Sequence, residues 1–177
     1  MKKILNNRSK TKVIDGILII LFLIILDQAT KYLAVLHLKD APPLELIPGV
    51  FELYYLENRG AAFSILWGQK NFFVILTAFL FLIMFYLYLR MPEDKRFKWA
   101  KLVFILLMGG AVGNLIDRVR QEYVVDFFYF KLINFAVFNV ADIYITVGAF
   151  LFVLTFCFYY KEEEMEKILP FLKKKEK

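Results

Sequence analysis

Cysteine and histidine are almost missing from this chain: Cys157 and His37 are the only ones in 177 residues. A lone thiol excludes an internal disulfide and any multi-cysteine metal site. A lone imidazole makes neither a metal cage nor a nucleophilic triad. There is no HExxH pair and no glycine-rich phosphate loop between a strand and a helix. Internal repeats, low-complexity segments and linkers are absent as well. Cys157 lies in an apolar run and reads as a small buried or lipid-facing side chain.

What the chain has in abundance is apolar and aromatic surface, 60% and 18% of residues. Mean hydropathy is +0.56, and the apolar share exceeds the roughly 45–50% of an ordinary soluble domain. Four apolar runs, about 14–36, 71–89, 99–115 and 138–160, take nearly half the sequence. Each is long enough to cross a hydrocarbon core about 30 Å thick. One integral membrane domain over 1–177 is therefore expected. The first run follows a basic start, yet it carries Asp27, Gln28 and Lys31, has no obvious cleavage site and exceeds a signal-peptide core in length, so it reads as a helix that is retained.

The net charge of +6 does not point to nucleic acid, because of where the cations lie. Five Lys/Arg precede the first run, five fall in 90–101 and six follow Tyr160, against three each in 37–70 and 116–137. That alternation is the positive-inside pattern, with four spans and both termini cytoplasmic. Residues 37–70 and 116–137 then form the outer connections, and 161–177, ending KKKEK, a basic, lipid-attracted cytoplasmic tail.

Along the first span, Asp27 and Lys31 stand four residues apart and share a helix face, where they can pair. LELIPGVFELYYLEN, residues 44–58, reads as two short strands about a Pro48–Gly49 turn, forming a small antiparallel sheet on the membrane surface. Asn58 and Arg59 follow, with Gly60, Ala61 and Ala62 permitting close backbone approach. The second span holds no charge and serves packing and lipid contact. The third ends in Gly109, Gly110 and Gly113, small residues that bring helices together and deliver Asn114, Asp117 and Arg118 to the bundle's outer end. Asn139 and Asp142 open the fourth span, where unsatisfied N–H groups and the helix dipole favour negative charge.

With that topology, Asp27, Asn58, Asn114, Asp117, Arg118, Asp126, Asn139 and Asp142 gather at one depth near the outer surface. Charged groups are expensive in such surroundings, and a chain that keeps them uses them. With other nucleophiles eliminated, carboxylates supported by amides and a guanidinium remain. Two facing aspartates cannot both ionise, so one holds a proton while the other activates water. Asp117, followed by Arg118 at a helix end, suits ion pairing. Asp126 stands alone in VVDFF, where desolvation raises its pKa, and Asp142 sits where a helix start keeps it ionised. Asp126 and Asp142 are the candidate pair.

The blocks DQATK (27–31), ENRGAAF (57–63), GGAVGNLIDR (109–118), VVDFF (124–128) and FNVAD (138–142) resemble, in order and spacing, the type II (lipoprotein) signal peptidases. The resemblance covers most of the chain. It implies an aspartyl endopeptidase of the bacterial cytoplasmic (inner) membrane, a four-transmembrane-helix bundle with an extracytoplasmic β cradle between the first two helices. Such an enzyme removes signal peptides from prolipoproteins carrying diacylglycerol on a cysteine and cleaves just before that cysteine. The family's catalytic aspartates match Asp126 and Asp142. Its substrate-binding and supporting positions match Asp27, Lys31, Asn58, Gly60, Asn114, Asp117, Arg118, Asn139 and Ala141. The implied partners are lipidated prolipoproteins, membrane lipid and globomycin-type cyclic peptide inhibitors; no metal, cofactor or nucleic acid is implied, and the enzyme is expected to be a monomer. Arg59 replaces the small polar residue of many members, and the interval from Asp126 to Asp142 is short for the family. Two other readings of the same residues stay open: a small proton- or ion-coupled carrier, which should show inverted repeats and broken helices, and a scaffold whose polar groups only join helices.

Overall fold

A computed structural model describes residues 2–60 and 69–169, with side chains from residue 13 onward. Ala61 and Ala62 of the small-residue turn and the basic run 173–177 lie outside the described residues. Helix α1 runs Lys2–Leu38, followed by strands β1 (Leu44–Ile47) and β2 (Phe51–Asn58). Helices α2 (Lys70–Arg90) and α3 (Lys98–Gln121) come next, then strand β3 (Val124–Tyr129), helix α4 (Val140–Leu154) and a short α5 (Glu162–Ile168). A π-helical turn, Thr155–Tyr159, extends α4.

Four stretches are long and apolar enough to cross a membrane: Val13–Leu38, Lys70–Arg90, Lys95–Gln121 and Val140–Tyr159. The first, second and fourth carry most of their apolar side chains outward, with Phe22, Ile25, Ile75, Leu82 and Phe150 more than 60% exposed, as lipid-facing helices do, whereas the third buries Val103, Phe104, Ile105 and Met108. The third helix continues past residue 115 through Asp117 and Arg118 and stops only at Glu122, whose φ of 69° ends it in the left-handed conformation. Its polar last turns are shielded by neighbours, so hydropathy alone ends the run too early.

Helix α3 is the centre of the bundle and packs against α1, α2 and α4. Glycine makes two of these approaches possible. A Cβ on Gly110 would lie 2.5 Å from the Ala141 carbonyl oxygen, and one on Gly113 would lie 2.6 Å from Asp27 Oδ2. Toward the far end of the bundle from the sheet, Ile20, Leu87, Phe104, Met108, Tyr160 and Ile168 form the main buried cluster.

The expected hairpin is present. Pro48 and Gly49 (φ +71°) turn the chain, with Val50 N–H donating to the Ile47 carbonyl at 2.9 Å. The sheet gains a third antiparallel strand from VVDFFY, in the order β1-β2-β3. Val124, Val125, Asp126 and Phe127 are all buried, so this strand lacks the alternation that marks a half-exposed one. Beyond β3 the chain doubles back. Phe127 and Phe128 N–H both donate to the Phe138 carbonyl, and Phe138 N–H returns a bond to Phe128 at 3.0 Å. This fold-back lays the start of α4 beside β3.

Candidate active site

Lys31 anchors the polar cluster. It is 3% exposed, and its ammonium lies 2.9 Å from Asp27 Oδ2, 3.0 Å from Asp117 Oδ2 and 2.9 Å from Asn114 Oδ1. The i,i+4 pair within α1 forms as expected. Asp117 takes Lys31 as its partner rather than the adjacent Arg118, since neighbours in a helix point apart. Gln28, three residues before Lys31, donates to Asp117 Oδ1 (2.9 Å), the Gly113 carbonyl (3.1 Å) and Asp27 Oδ2 (3.2 Å). Backbone N–H groups complete the set: Ala141 to Asp27 Oδ1 at 2.9 Å and Val125 to Asp117 Oδ2 at 3.2 Å. Asp27 and Asp117 therefore tie together α1, α3, β3 and the start of α4, with their oxygens already occupied.

Asp126 and Asp142 are bonded differently. Asp126 Oδ1 accepts from Asn139 Nδ2 (2.6 Å) and Oδ2 from Asn58 Nδ2 (2.8 Å), while Asp142 Oδ1 accepts from Asn114 Nδ2 (2.8 Å). Asn139 Nδ2 also donates to Asn114 Oδ1 at 3.1 Å, so two amides bridge the two aspartates. The sheet register supplies one arm. Asn58 pairs with Val124 and Leu56 with Asp126, and residues two apart share a strand face, which brings Asn58 diagonally onto Asp126. The helix start supplies the other. Asn139 caps α4, its Oδ1 taking the Asp142 N–H at 3.0 Å while Asp142 Oδ2 takes the Asn139 N–H at 3.1 Å. The cap fixes which way the Asn139 amide faces, and its Nδ2 is thereby turned toward Asp126.

Asp126 is 1% exposed. That burial, with the neighbouring negative charge of Asp142 second, pushes its carboxyl up to about 7 against the amide bonds that oppose the shift. Arg118 closes the same end, donating to the Gly60 carbonyl at 3.1 Å and lying 5.0 Å over the Phe73 ring. Gly60 N–H in turn bonds Asn58 Oδ1 at 3.0 Å. Asn58, Asn114, Arg118, Asp126 and Asp142 line one end of a cavity of about 820 Å³ whose remaining walls are mostly apolar, among them Leu80, Met84, Leu107 and Val147, with Thr77 and Thr146 between. Among the described residues no three His, Cys, Asp or Glu side chains converge to hold a metal ion. Every candidate residue thus falls in one connected group, and Gln28 joins it.

A protein-family profile described as "Signal peptidase (SPase) II" matches residues 19–158. The chain is similar to the lipoprotein signal peptidase of Streptococcus thermophilus (strain CNRZ 1066), with 48% identity over 136 residues, 76% of this chain and 87% of that one. It is 44% identical over 134 residues to the lipoprotein signal peptidase of Caldanaerobacter subterraneus subsp. tengcongensis, covering 76% and 90%. Among solved structures, a bacterial membrane enzyme obtained by the in meso method superposes with a TM-score of 0.74 at 33% identity, covering 81% of this chain and 87% of that one.

Proposed function

The chain belongs to the signal peptidase II family, a peptidase family acting on lipoproteins, and from that premise we propose that it is an aspartic endopeptidase. Its substrates would be diacylglyceryl-modified prolipoproteins, cleaved just before the lipidated cysteine. The observation that carries this reading is the pairing of Asp126 and Asp142 through Asn139 and Asn114 at the polar end of a mostly apolar cavity.

In this proposal Asp142, at the first turn of α4 where the dipole favours an anion, takes a proton from water. The water oxygen then bonds to the scissile carbonyl carbon, and Asp126, whose elevated pKa keeps it protonated up to about 7, gives its proton to the carbonyl oxygen. As the resulting diol collapses, one of its hydroxyls returns a proton to the Asp126 carboxylate, the C–N bond breaks, and the proton held by Asp142 passes to the leaving amine, which restores both aspartates. The apolar cavity walls suit a substrate whose acyl chains stay in the bilayer, and membrane anchoring would hold the scissile bond at fixed depth. The distribution of Lys and Arg supports cytoplasmic termini in a bacterial inner membrane, with the site near the outer face.

The test is cleavage of a lipidated precursor in detergent or lipid, with and without globomycin. Asp142→Asn is expected to lose turnover by at least about a thousandfold, as removal of a catalytic group does, while staying folded and still binding the lipidated precursor. Processing by that variant at the normal rate would defeat the proposal.

A further inference from the structure

The two amides that bridge the aspartates need a direction. An asparagine side chain donates from one end and accepts at the other, and reversing it exchanges the two. Asn139 is held by its capping bond to the Asp142 N–H. Asn114 has no such cap. Its Oδ1 faces the Lys31 ammonium (2.9 Å) and the Asn139 amide (3.1 Å), and its Nδ2 faces the Asp142 carboxylate (2.8 Å). Turned over, it would set N–H against a cation and a second N–H, and an oxygen against a carboxylate. The Asn139 N–H also asks for an acceptor and the Asp142 carboxylate for a donor, so all three favour the same orientation. Lys31, the only cation among them, gives the strongest, charge-assisted preference.

Taking Asp126 and Asp142 as the reacting pair, we infer that Lys31 is a positioning residue that fixes the polarity of Asn114, so that both bridging amides present donors to the two aspartates. Lys31 touches neither aspartate through a hydrogen bond. Its direct ion pairs go to Asp27 and Asp117, and it acts on Asp142 through Asn114 and on Asp126 through Asn114 and Asn139. The charged groups facing the pair are Lys31 on α1, Arg118 on α3 and the two aspartates themselves, on β3 and α4. Released from Lys31, Asn114 can offer Asp142 an oxygen. The carboxylate that takes the proton from water then loses its donor.

The background for the test is Asp27→Asn, which keeps an acceptor for the Ala141 N–H while removing one of the two carboxylates that loss of the lysine would strand. The other, Asp117, keeps its bonds from Gln28 and the Val125 N–H. Wild-type turnover of lipidated precursor comes first; failure there counts against the peptidase reading and leaves Lys31 aside. In the Asp27→Asn background, Lys31→Met is expected to lower kcat by at least about tenfold, the usual scale for losing an outer-shell partner. KM should change little, and the acid limb of the kcat–pH profile should move to higher pH. Lys31→Gln, uncharged yet able to donate to Asn114 Oδ1, is expected to restore the limb. Equal damage from Met and Gln would show that charge alone matters and would overturn the assignment. Asn114→Leu leaves the Lys31–Asp27–Asp117 cluster whole, so it reads the same question if the double variants fail to fold. It must move the acid limb in the same direction, and an unmoved limb would also overturn the assignment. Where all fold, adding Lys31→Met and Asp27→Asn to Asn114→Leu should cost no more than Asn114→Leu alone, since groups acting as one unit are not additive. Independent, additive losses would refute it.

Discussion

Asp126 shows how a single residue links stability to pH. In the unfolded chain it ionises near the ordinary carboxyl value of 3.8, whereas in the fold its proton stays on to about 7. Between those values the folded state binds more protons, so this residue's contribution to stability falls as pH rises from about 4 to about 7. Asp126→Asn removes that dependence. The melting temperature of the wild type, measured against the variant, should drop across this window by an amount reflecting a few kcal/mol; a constant difference would contradict it. If Asp126 is the general acid, as proposed, the same titration should give the wild type a falling rate above about pH 7. The site's residue types were legible in the sequence because carboxylates and amides in apolar surroundings stand out. Gln28 was not, since an isolated amide in the first span looks incidental. Its offset of three from Lys31 puts both on one helix face, and that was the available signal. The partner of Asp117 was also hidden, because Lys31 is 86 positions away and only helix packing brings it near.

At the level of elements, the site depends on how closely α3 can lie against its neighbours. Gly110 is the sharper case. The atom a Cβ would strike at 2.5 Å is the backbone oxygen of Ala141, with Ile145 Cγ1 at 2.7 Å. A carbonyl inside a helix cannot turn aside as a flexible side chain can, so Gly110→Ala must part α3 from α4. The expected cost is about 1–3 kcal/mol, read as a lowered midpoint of thermal unfolding in detergent, together with a larger loss of activity because Asn114 on α3 and Asp142 on α4 share a bond. Unchanged midpoint and rate would count against close α3–α4 packing. The hairpin was legible, since its proline–glycine turn and flanking β-formers mark it. Strand β3 was not. Buried on both faces, VVDFF has no period to read, and its pairing with β2 spans more than 60 residues.

For the molecule as a whole, the four spans could be read from length and hydropathy, but their ends were less certain. A polar turn such as Asp117–Arg118 ends an apolar run without ending a helix. The proposed orientation rests on the charge distribution, and two positions test it. In a Cys157→Ser background, a membrane-impermeant thiol reagent added to intact cells should label Glu45→Cys on exposed β1 and leave Glu163→Cys on α5 unlabelled until the cells are opened. The reverse pattern would invert the topology. The shared midpoint of these scales is the glycine contact between α3 and α4. Since Gly110 adds no side chain from α3 and the Ala141 carbonyl and Ile145 of α4 already press against it, the gap separating Asn114 from Asp142 follows helix spacing with almost no slack. A surfactant that swells the bundle slightly, without melting it, should silence turnover while the helical signal stays intact, so loss of catalysis becomes an early gauge of loosening in the surrounding medium.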